Sequence, residues 1–438
     1  MQNPDDQFQA AKDFFDKEQW QDAAIMCNKV LAQVEHPLVI NLLGMSLMKL
    51  GKRDFAERVL YEGLALDSKC VPIMANLGNM YREDLRTKQA SDFLQAALRL
   101  QPENHQVNHN MAVLCLETGR FEDGLRYAEK AMKLNGEHQA TRHTYALACL
   151  QNGDYERGCE HYVSRKQVFL RDKVPLPAYE GGKANVIIRQ EQGFGDTLMV
   201  SRWLPKLREM GAEVTLVAPT PLYKLMEDSG LCDVLRDEND VERFTHHLWT
   251  MDLMCMFGRD WTQISSEPYF RTDPQLVEKW DKMLGSRDKP RIGFCYSGKS
   301  RAEDFHAFII DKRRSLTVSE AHSLMHDIDA QWVNLTRETG LPNSTDFSAQ
   351  VGDFSDMAAL LENLDLVVTV DTALCHLAGG LGVPSMVMHR YDTCWRWWPY
   401  TEATPLYENM THYYQTEPFN WVDTIEEVRN VIQAKFNH

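Results

Sequence analysis

Two glycine-containing turns and a basic run place residue types that hold small anions. The stretch Val367–Pro384, VVTVDTALCHLAGGLGVP, reads as an apolar strand ending at Val370, followed by a helix that opens around Asp371 and Thr372. The first amides of such a helix lack intrahelical acceptors and carry the positive end of its dipole, which suits a phosphate. Asp371 at that mouth accepts hydrogen bonds from sugar hydroxyls, and Thr372 donates to a phosphate oxygen. Gly379, Gly380 and Gly382 permit close packing or a turn into the next strand. His376, four residues into the helix, fits a packed structural histidine as well as a ligand contact. Tyr296, Ser297, Gly298 and Lys299 end another strand candidate. There the Gly298 turn exposes backbone amides, and Lys299 either neutralises a phosphate or stays solvated. The run Lys312, Arg313, Arg314, Ser315, Leu316 is a solvated turn or a local anion contact.

A further turn, Gln190 to Asp196 (QEQGFGD), follows a short apolar run and precedes a helical pattern. Gly193 and Gly195 free the backbone to turn tightly, and Asp196 lies at the helix mouth, where an aspartate also serves as an N-cap. The turn is not the dinucleotide fingerprint, because Leu198 stands where the third glycine is required.

These turns need strands and helices to aim them. Asn185–Ile188 reads as a buried strand, Thr197–Met210 as a helix and Val214–Ala218 as a second strand, a β-α-β order that implies a parallel sheet. After the Gly285–Pro290 turn the alternation resumes, with strand candidates Arg291–Tyr296, Gln331–Leu335, Leu364–Val370 and Pro384–His389. Between them lie helical patterns at Asp356–Asn363 and from Thr372 onward. Two such α/β units give a cleft lined by the carboxyl ends of their strands, where open parallel sheets bind ligands. In the tail Asn420–Phe436, helical spacing puts Trp421, Ile425, Val428, Val431 and Ile432 on one face.

The first third repeats itself at about 34 residues, the period of tetratricopeptide helix pairs. The clearest copy begins near Val71, with Leu77, Gly78, Tyr81, Ala90, Ala97 and Pro102 in register. One period earlier stand Leu43, Gly44, Leu47, Gly51, Ala56 and Gly63, and one period later Met111, Ala112, Gly119, Gly124 and Ala131. Weaker copies hold Ala11, Phe14, Trp20 and Ala23 before them, and Tyr145, Ala146, Gly153, Tyr155, Gly158 and Tyr162 after them. About five helix pairs fit residues 4–170, and the Pro- and Gly-rich stretch Arg171–Asn185 reads as a linker.

Length and composition agree with this division. The chain's 438 residues suit about three domains, and 44% hydrophobic with 25% charged residues is ordinary for a globular protein. Set against 63 acidic residues, 47 basic ones leave a net charge of −16, which disfavours nucleic acid and anionic membranes as partners. None of the ten cysteines has another at two-residue spacing, so neither a zinc knuckle nor a disulfide framework is expected, and free thiols point to a reducing cytoplasm. The opening MQNPDDQFQAAKDFF is acidic where a signal peptide is basic, and no apolar run is long enough to span a membrane.

Taken in order behind the repeats, these segments closely resemble bacterial TPR-containing glycosyltransferases related to the heptosyltransferase family and, more distantly, O-linked N-acetylglucosamine transferases. The resemblance rests on Glu191–Asp196, Tyr296–Gly298, Arg313–Ser315, Asp353–Ala359, Leu364–Gly382 and the segment Asp392–Trp397, DTCWRW. This sequence departs from the family in Tyr296, where tryptophan is usual, in Lys299, where asparagine is common, and in Thr393 and Cys394, which expand an aspartate-tryptophan pair.

The resemblance implies an α-solenoid over 1–170, followed by a GT-B module of two Rossmann-like domains, 185–285 on the acceptor side and 290–438 on the donor side. It implies transfer of a sugar from a nucleotide-diphosphate donor to a hydroxyl of a protein or glycan acceptor, inverting and without metal or other cofactor. By the same carry-over Asp196 is the general base, Lys299 and Thr372 contact the diphosphate, and Asp371 contacts the donor sugar. Gly298, Arg314 and His376 complete the donor side, and Gln192, Gly193 and Gly195 face the acceptor. The repeats' concave groove is the expected protein-binding surface, and in this fold the last helix often crosses back to the other sheet. The alternative is a catalytically inactive sugar-nucleotide-binding or adaptor protein.

Overall fold

Small residues at fixed spacing let the helices of the first unit pair closely. A Cβ on Gly44 would lie 2.5 Å from Leu60, and one on Gly78 would lie 2.7 Å from Leu94, the same contact one period on. In the next period the pair becomes Ala112 and Ala128, both buried. The computed structural model describes residues 3–170, 174–235, 243–260, 263–298, 305–337, 340–397 and 404–436. Its helices divide between two compact units, Met1–Asn152 and Gly153–His438.

In the first unit, the leading helices of successive pairs begin at Pro4, Pro37, Val71, His105 and Gln139, the spacing that the repeat predicts. Proline stands in the first turn of the helices Pro4–Asp16, Pro37–Lys49 and Val71–Glu83, where its missing N–H has no bond to lose. The turn inside each of the first four pairs needs one residue in the left-handed region, and Glu18, Gly51, Leu85 and Gly119 supply it at matching positions. The helix pairs are those of a tetratricopeptide solenoid. Among the described residues, no helix is long and apolar enough to cross a membrane.

The second unit holds two wholly parallel sheets. The first consists of β1 (Ala184–Arg189), β2 (Ala212–Val217), β3 (Asp233–Leu235) and β4 (His246–Trp249), in the order β3-β2-β1-β4. The second consists of β5 (Arg291–Cys295), β6 (Gln331–Asn334), β7 (Thr345–Asp346), β8 (Leu366–Val370), β9 (Ser385–His389) and β10 (Met410–Tyr414), in the order β10-β9-β8-β5-β6-β7. Strands covered on both faces carry continuous apolar runs, and every residue of β5, β8 and β9 is buried. Strand order reverses between β1 and β4 in one sheet and between β5 and β8 in the other. Such reversals open a crevice at the carboxyl ends. The Gln190–Asp196 turn follows β1, Ser297 and Gly298 follow β5, and Asp371 and Thr372 follow β8. All three motifs therefore sit at switch points.

Two expectations are corrected. The Thr197–Met210 helix starts earlier and is broken: it runs Phe194–Val200, passes through a 3₁₀ turn at Ser201–Trp203 and resumes at Leu204–Glu209, with proline in the first turn of the last piece. The final helix, Val422–Phe436, does not cross back to the other sheet. Ile425, Val428 and Ile432, with Trp421 just before the helix, join the core of the second sheet beside Ile292 and Phe294. Val431 lies off that face, 38% exposed.

Candidate functional site

The helix Ala373–Leu381 is the centre of the site. Thr372 is its N-cap in extended conformation, its Oγ1 accepting the N–H of Leu374 at 3.3 Å. Gly382 ends the helix in the left-handed region at φ +80°. Gly379 and Gly380 are close-approach positions: a side chain at Gly380 would meet Phe270 at 2.5 Å, and one at Gly379 would enter the Tyr407 ring. The segment Tyr269–Phe270 donates both its N–H groups to the Gly380 carbonyl, tying the chain that leaves the first lobe to this helix.

Around Asp371 the sequence-predicted donor residues converge. Arg314 donates from Nη1 to the Asp371 carbonyl at 2.9 Å and from Nη2 to Asp311 at 2.7 Å, and its guanidinium fills the place a Gly298 side chain would take. Burial works against charge on the Asp371 carboxyl, but His389, Arg314, His376 and Arg390 together hold it below the ordinary carboxylate range. Asp392 of the DTCWRW segment pairs with Arg313 at 2.8 Å and with Arg390 at 3.2 Å. Beside Gly298 opens a cavity of about 430 Å³ lined by Ser297, Asp311, Lys312, Glu320, Phe419 and Trp421, among others. Lys299 lies outside the described residues. A larger hollow of about 660 Å³ lies open to the surface among Asp54, Glu57, Arg58 and Tyr61 of the solenoid.

His376 is packed rather than free. Its ring stacks on Trp397 at 4.6 Å, and Nδ1 is 3.0 Å from the Tyr407 hydroxyl. Burial lowers its pKa to about 4, so the imidazole is neutral at pH 7. One edge of the ring still faces the first lobe, since a Cβ on Gly195 would come within 3.0 Å of its Cδ2 and 3.3 Å of Ala373 Cα. Asp371, Cys375 and His376 hold potential metal-ligating atoms within 4.8 Å of one another, the one such group among the described residues. The Cys375 thiol donates to the Thr372 carbonyl at 2.6 Å, and burial, reinforced by Asp371, pushes its pKa well above the ordinary value. A protonated thiol with guanidinium groups close by suits an anion better than a cation.

In the first lobe, Asp196 is not an N-cap. Gly193 takes that position, and Asp196, at the third helical residue, accepts the Gly193 N–H on Oδ2 at 3.0 Å. Its Oδ1 is 2.6 Å from Arg396 of the second lobe. Gln192, at φ +63°, bridges the Tyr162 hydroxyl (2.9 Å) and Arg396 (2.6 Å). Glu191 is structural: buried, it receives Arg165 on both oxygens at 3.0 and 2.8 Å, while Arg165 also reaches Asp252 at 2.6 Å. The fold thus gathers Gln192, Gly193, Gly195 and Asp196 on one wall and Gly298, Arg314, Asp371, Thr372 and His376 on the other. Sequence reasoning assigned no role to Arg396, Trp397 or Tyr407; the W-R-W of the DTCWRW segment was the available signal for the first two.

Comparison with known proteins adds a family. The model of glycosyltransferase family 9 (heptosyltransferase) matches residues 351–425, a span containing Asp371, Thr372, His376 and Arg396. No curated protein matches the chain. Among solved structures, pilF of Pseudomonas aeruginosa is 17% identical over 48% of this chain and 86% of that one, with a TM-score of 0.36. A thermophilic TPR protein of Thermus thermophilus is 15% identical over 39% of this chain and 93% of that one, with a TM-score of 0.35. In its TPR-like helices and its C-terminal family match, the chain resembles TPR-containing, heptosyltransferase-like glycosyltransferases, and its paired parallel sheets are consistent with an α/β GT-B module. The match supports glycosyltransferase activity in general terms.

Proposed function

We propose that the chain transfers a sugar from a nucleotide-diphosphate donor to a hydroxyl of a protein or glycan acceptor, with inversion and without a metal. The observation that carries this reading is the capped amide end of Ala373–Leu381, inside the family-9 span, with Gly195, the residue before Asp196, lying against it from the other lobe. The donor diphosphate lies against Thr372 and the first helical amides, with the Arg314 and Gly298 turn beside it and Lys299 as a further contact. The nucleoside occupies the cavity beside Gly298, where Phe419 offers a ring face. Asp371 accepts from donor-sugar hydroxyls. The acceptor oxygen attacks the anomeric carbon, its proton passes to Asp196, and the electron pair of the broken carbon–oxygen bond leaves on the diphosphate. Fixed amides and guanidinium groups stabilise that charge, the part a cation plays elsewhere. A single displacement inverts the anomeric centre. Gln192, Gly193 and Gly195 border the acceptor, which the solenoid's groove recruits, and no cofactor beyond the nucleotide sugar takes part.

The test is a hydrolysis and transfer assay of the full chain with a panel of nucleotide-diphosphate sugars. One donor class is turned over, Asp371→Ala raises KM for that donor, and Asp196→Ala lowers kcat more than donor affinity. Donor binding with no turnover, unchanged by Asp196→Ala, would make the chain a sugar-nucleotide-binding protein instead.

A further inference from the structure

The proposed base is already engaged on both oxygens. Asp196 Oδ2 accepts the Gly193 N–H, and Oδ1 lies 2.6 Å from Arg396 Nη2. Arg396 comes from the opposite lobe. Its Nη2 also reaches Gln192 at 2.6 Å, its Nη1 approaches Cys394 Sγ at 2.8 Å, and its guanidinium lies over the Trp395 ring at 4.6 Å. The buried Nε has no hydrogen-bond partner among the described residues. The pair is shielded from solvent, with side-chain exposures of 14% and 17%, so water screens it weakly.

This pair borders the start of Ala373–Leu381, where the donor diphosphate is proposed to lie. Trp397, the residue after Arg396, stacks on His376 of that helix, and Gly195, the residue before Asp196, lies against Ala373 and His376. A guanidinium is a planar fork that fits carboxylate and phosphate alike, so one arginine placed between the two can serve either.

We propose that Arg396 is shared between Asp196 and the donor diphosphate: without donor it holds Asp196 in an ion pair, and an arriving diphosphate draws it away and leaves Asp196 Oδ1 open to take the acceptor's proton. The inference rests on the donor reading above and adds an order to it. Donor binding precedes base activation, so the carboxylate becomes available only when there is a sugar to transfer. Arg396 is on this account a positioning residue for Asp196 as well as a diphosphate contact.

Titration calorimetry of the full chain with UDP, GDP, ADP and CDP tests it. Competition for Arg396 lowers the apparent affinity of the wild type, so Asp196→Asn, which keeps an oxygen for the Gly193 N–H, tightens the diphosphate about tenfold. Arg396→Gln weakens it, Arg396→Lys restores part of the loss, and Asp196→Asn in the Arg396→Gln background gives no gain. The proposal is overturned if Asp196→Asn leaves affinity unchanged or lowers it. It is equally overturned if the gain persists without Arg396, which would mean simple charge repulsion, or if Arg396→Gln also tightens binding, which would mean a mere latch between lobes. If neither the wild type nor Asp196→Asn binds any of the four diphosphates, the donor reading itself falls. Should Arg396→Gln fail to fold, Arg396→Lys takes its place: the gain from Asp196→Asn shrinks in that background, and a gain that stays whole there overturns the proposal.

Discussion

Glu191 and Asp196 stand in the same motif and have different work. Glu191 is held in a pair with Arg165 in which each side chain is 2% exposed, so removing it leaves a buried guanidinium with fewer partners. Glu191→Ala is expected to cost about 3 kcal/mol or more, read as a lowered denaturation midpoint, since breaking one side of a buried pair strands a charge. Any activity lost in that variant then tracks unfolding, whereas Asp196→Ala loses turnover out of proportion to any fall in its denaturation midpoint. Residue types and local spacing made the helix start after β8 legible, because a strand ending in an Asp-Thr helix start can be read within one segment. Arg396 was not legible in that way. Its partner Gln192 is 204 residues away in the chain, and only the packing of two lobes brings them together. His376 was readable as either of two things, and it is chiefly a packed ring on Trp397 whose edge faces the first lobe.

Elements were legible in proportion to their periodicity. The helix pairs follow the repeat, and the all-buried strands β5, β8 and β9 announce themselves as apolar runs. Strands β3, β4, β7 and β10 do not. β7 is only Thr345–Asp346, and β4 and β10, HHLW and MTHYY, are short and carry histidines that the sheet nonetheless buries, as at His247 and His412. Tertiary pairing rather than local preference makes them strands. The repeat also exposes a local conflict. Leu85 takes the left-handed turn position, at φ +60°, that Gly51 and Gly119 fill in the neighbouring copies. A β-carbon there costs roughly 1 to 2 kcal/mol, part of which glycine returns through its greater unfolded-state entropy. Leu85→Gly is therefore expected to stabilise the first unit by up to about 1 kcal/mol, seen as a higher urea midpoint at an unchanged m-value. A loss of stability would show that the Leu85 side chain contributes more than the strain it carries.

At the scale of the whole molecule, buried histidines tie the fold to pH. Burial lowers His376 and His389 to about 4 and His412 to about 2, with Asp371 partly opposing this in each case and nearby Arg390, Arg396 and Arg202 reinforcing it at the first two. These rings are neutral when folded, while an unfolded chain protonates them below about 6.5. The contribution of these rings is thus level above about pH 7 and falls as pH drops toward 4, by up to about 1.4 kcal/mol per pH unit for each ring. Melting temperatures measured between about pH 5 and 8 check this, and a flat profile below pH 6.5 would contradict it. The three histidine rings lie against Trp397, so the same acid range is expected to loosen the packing around that ring first. A crystal structure of the full chain with a bound nucleotide-diphosphate sugar tests the proposed donor position. The diphosphate is expected against Thr372 and the first amides of Ala373–Leu381, with Arg396 turned from Asp196 toward it. A donor bound elsewhere, with Gly195 still seated on Ala373 and no room at that helix end, would contradict it.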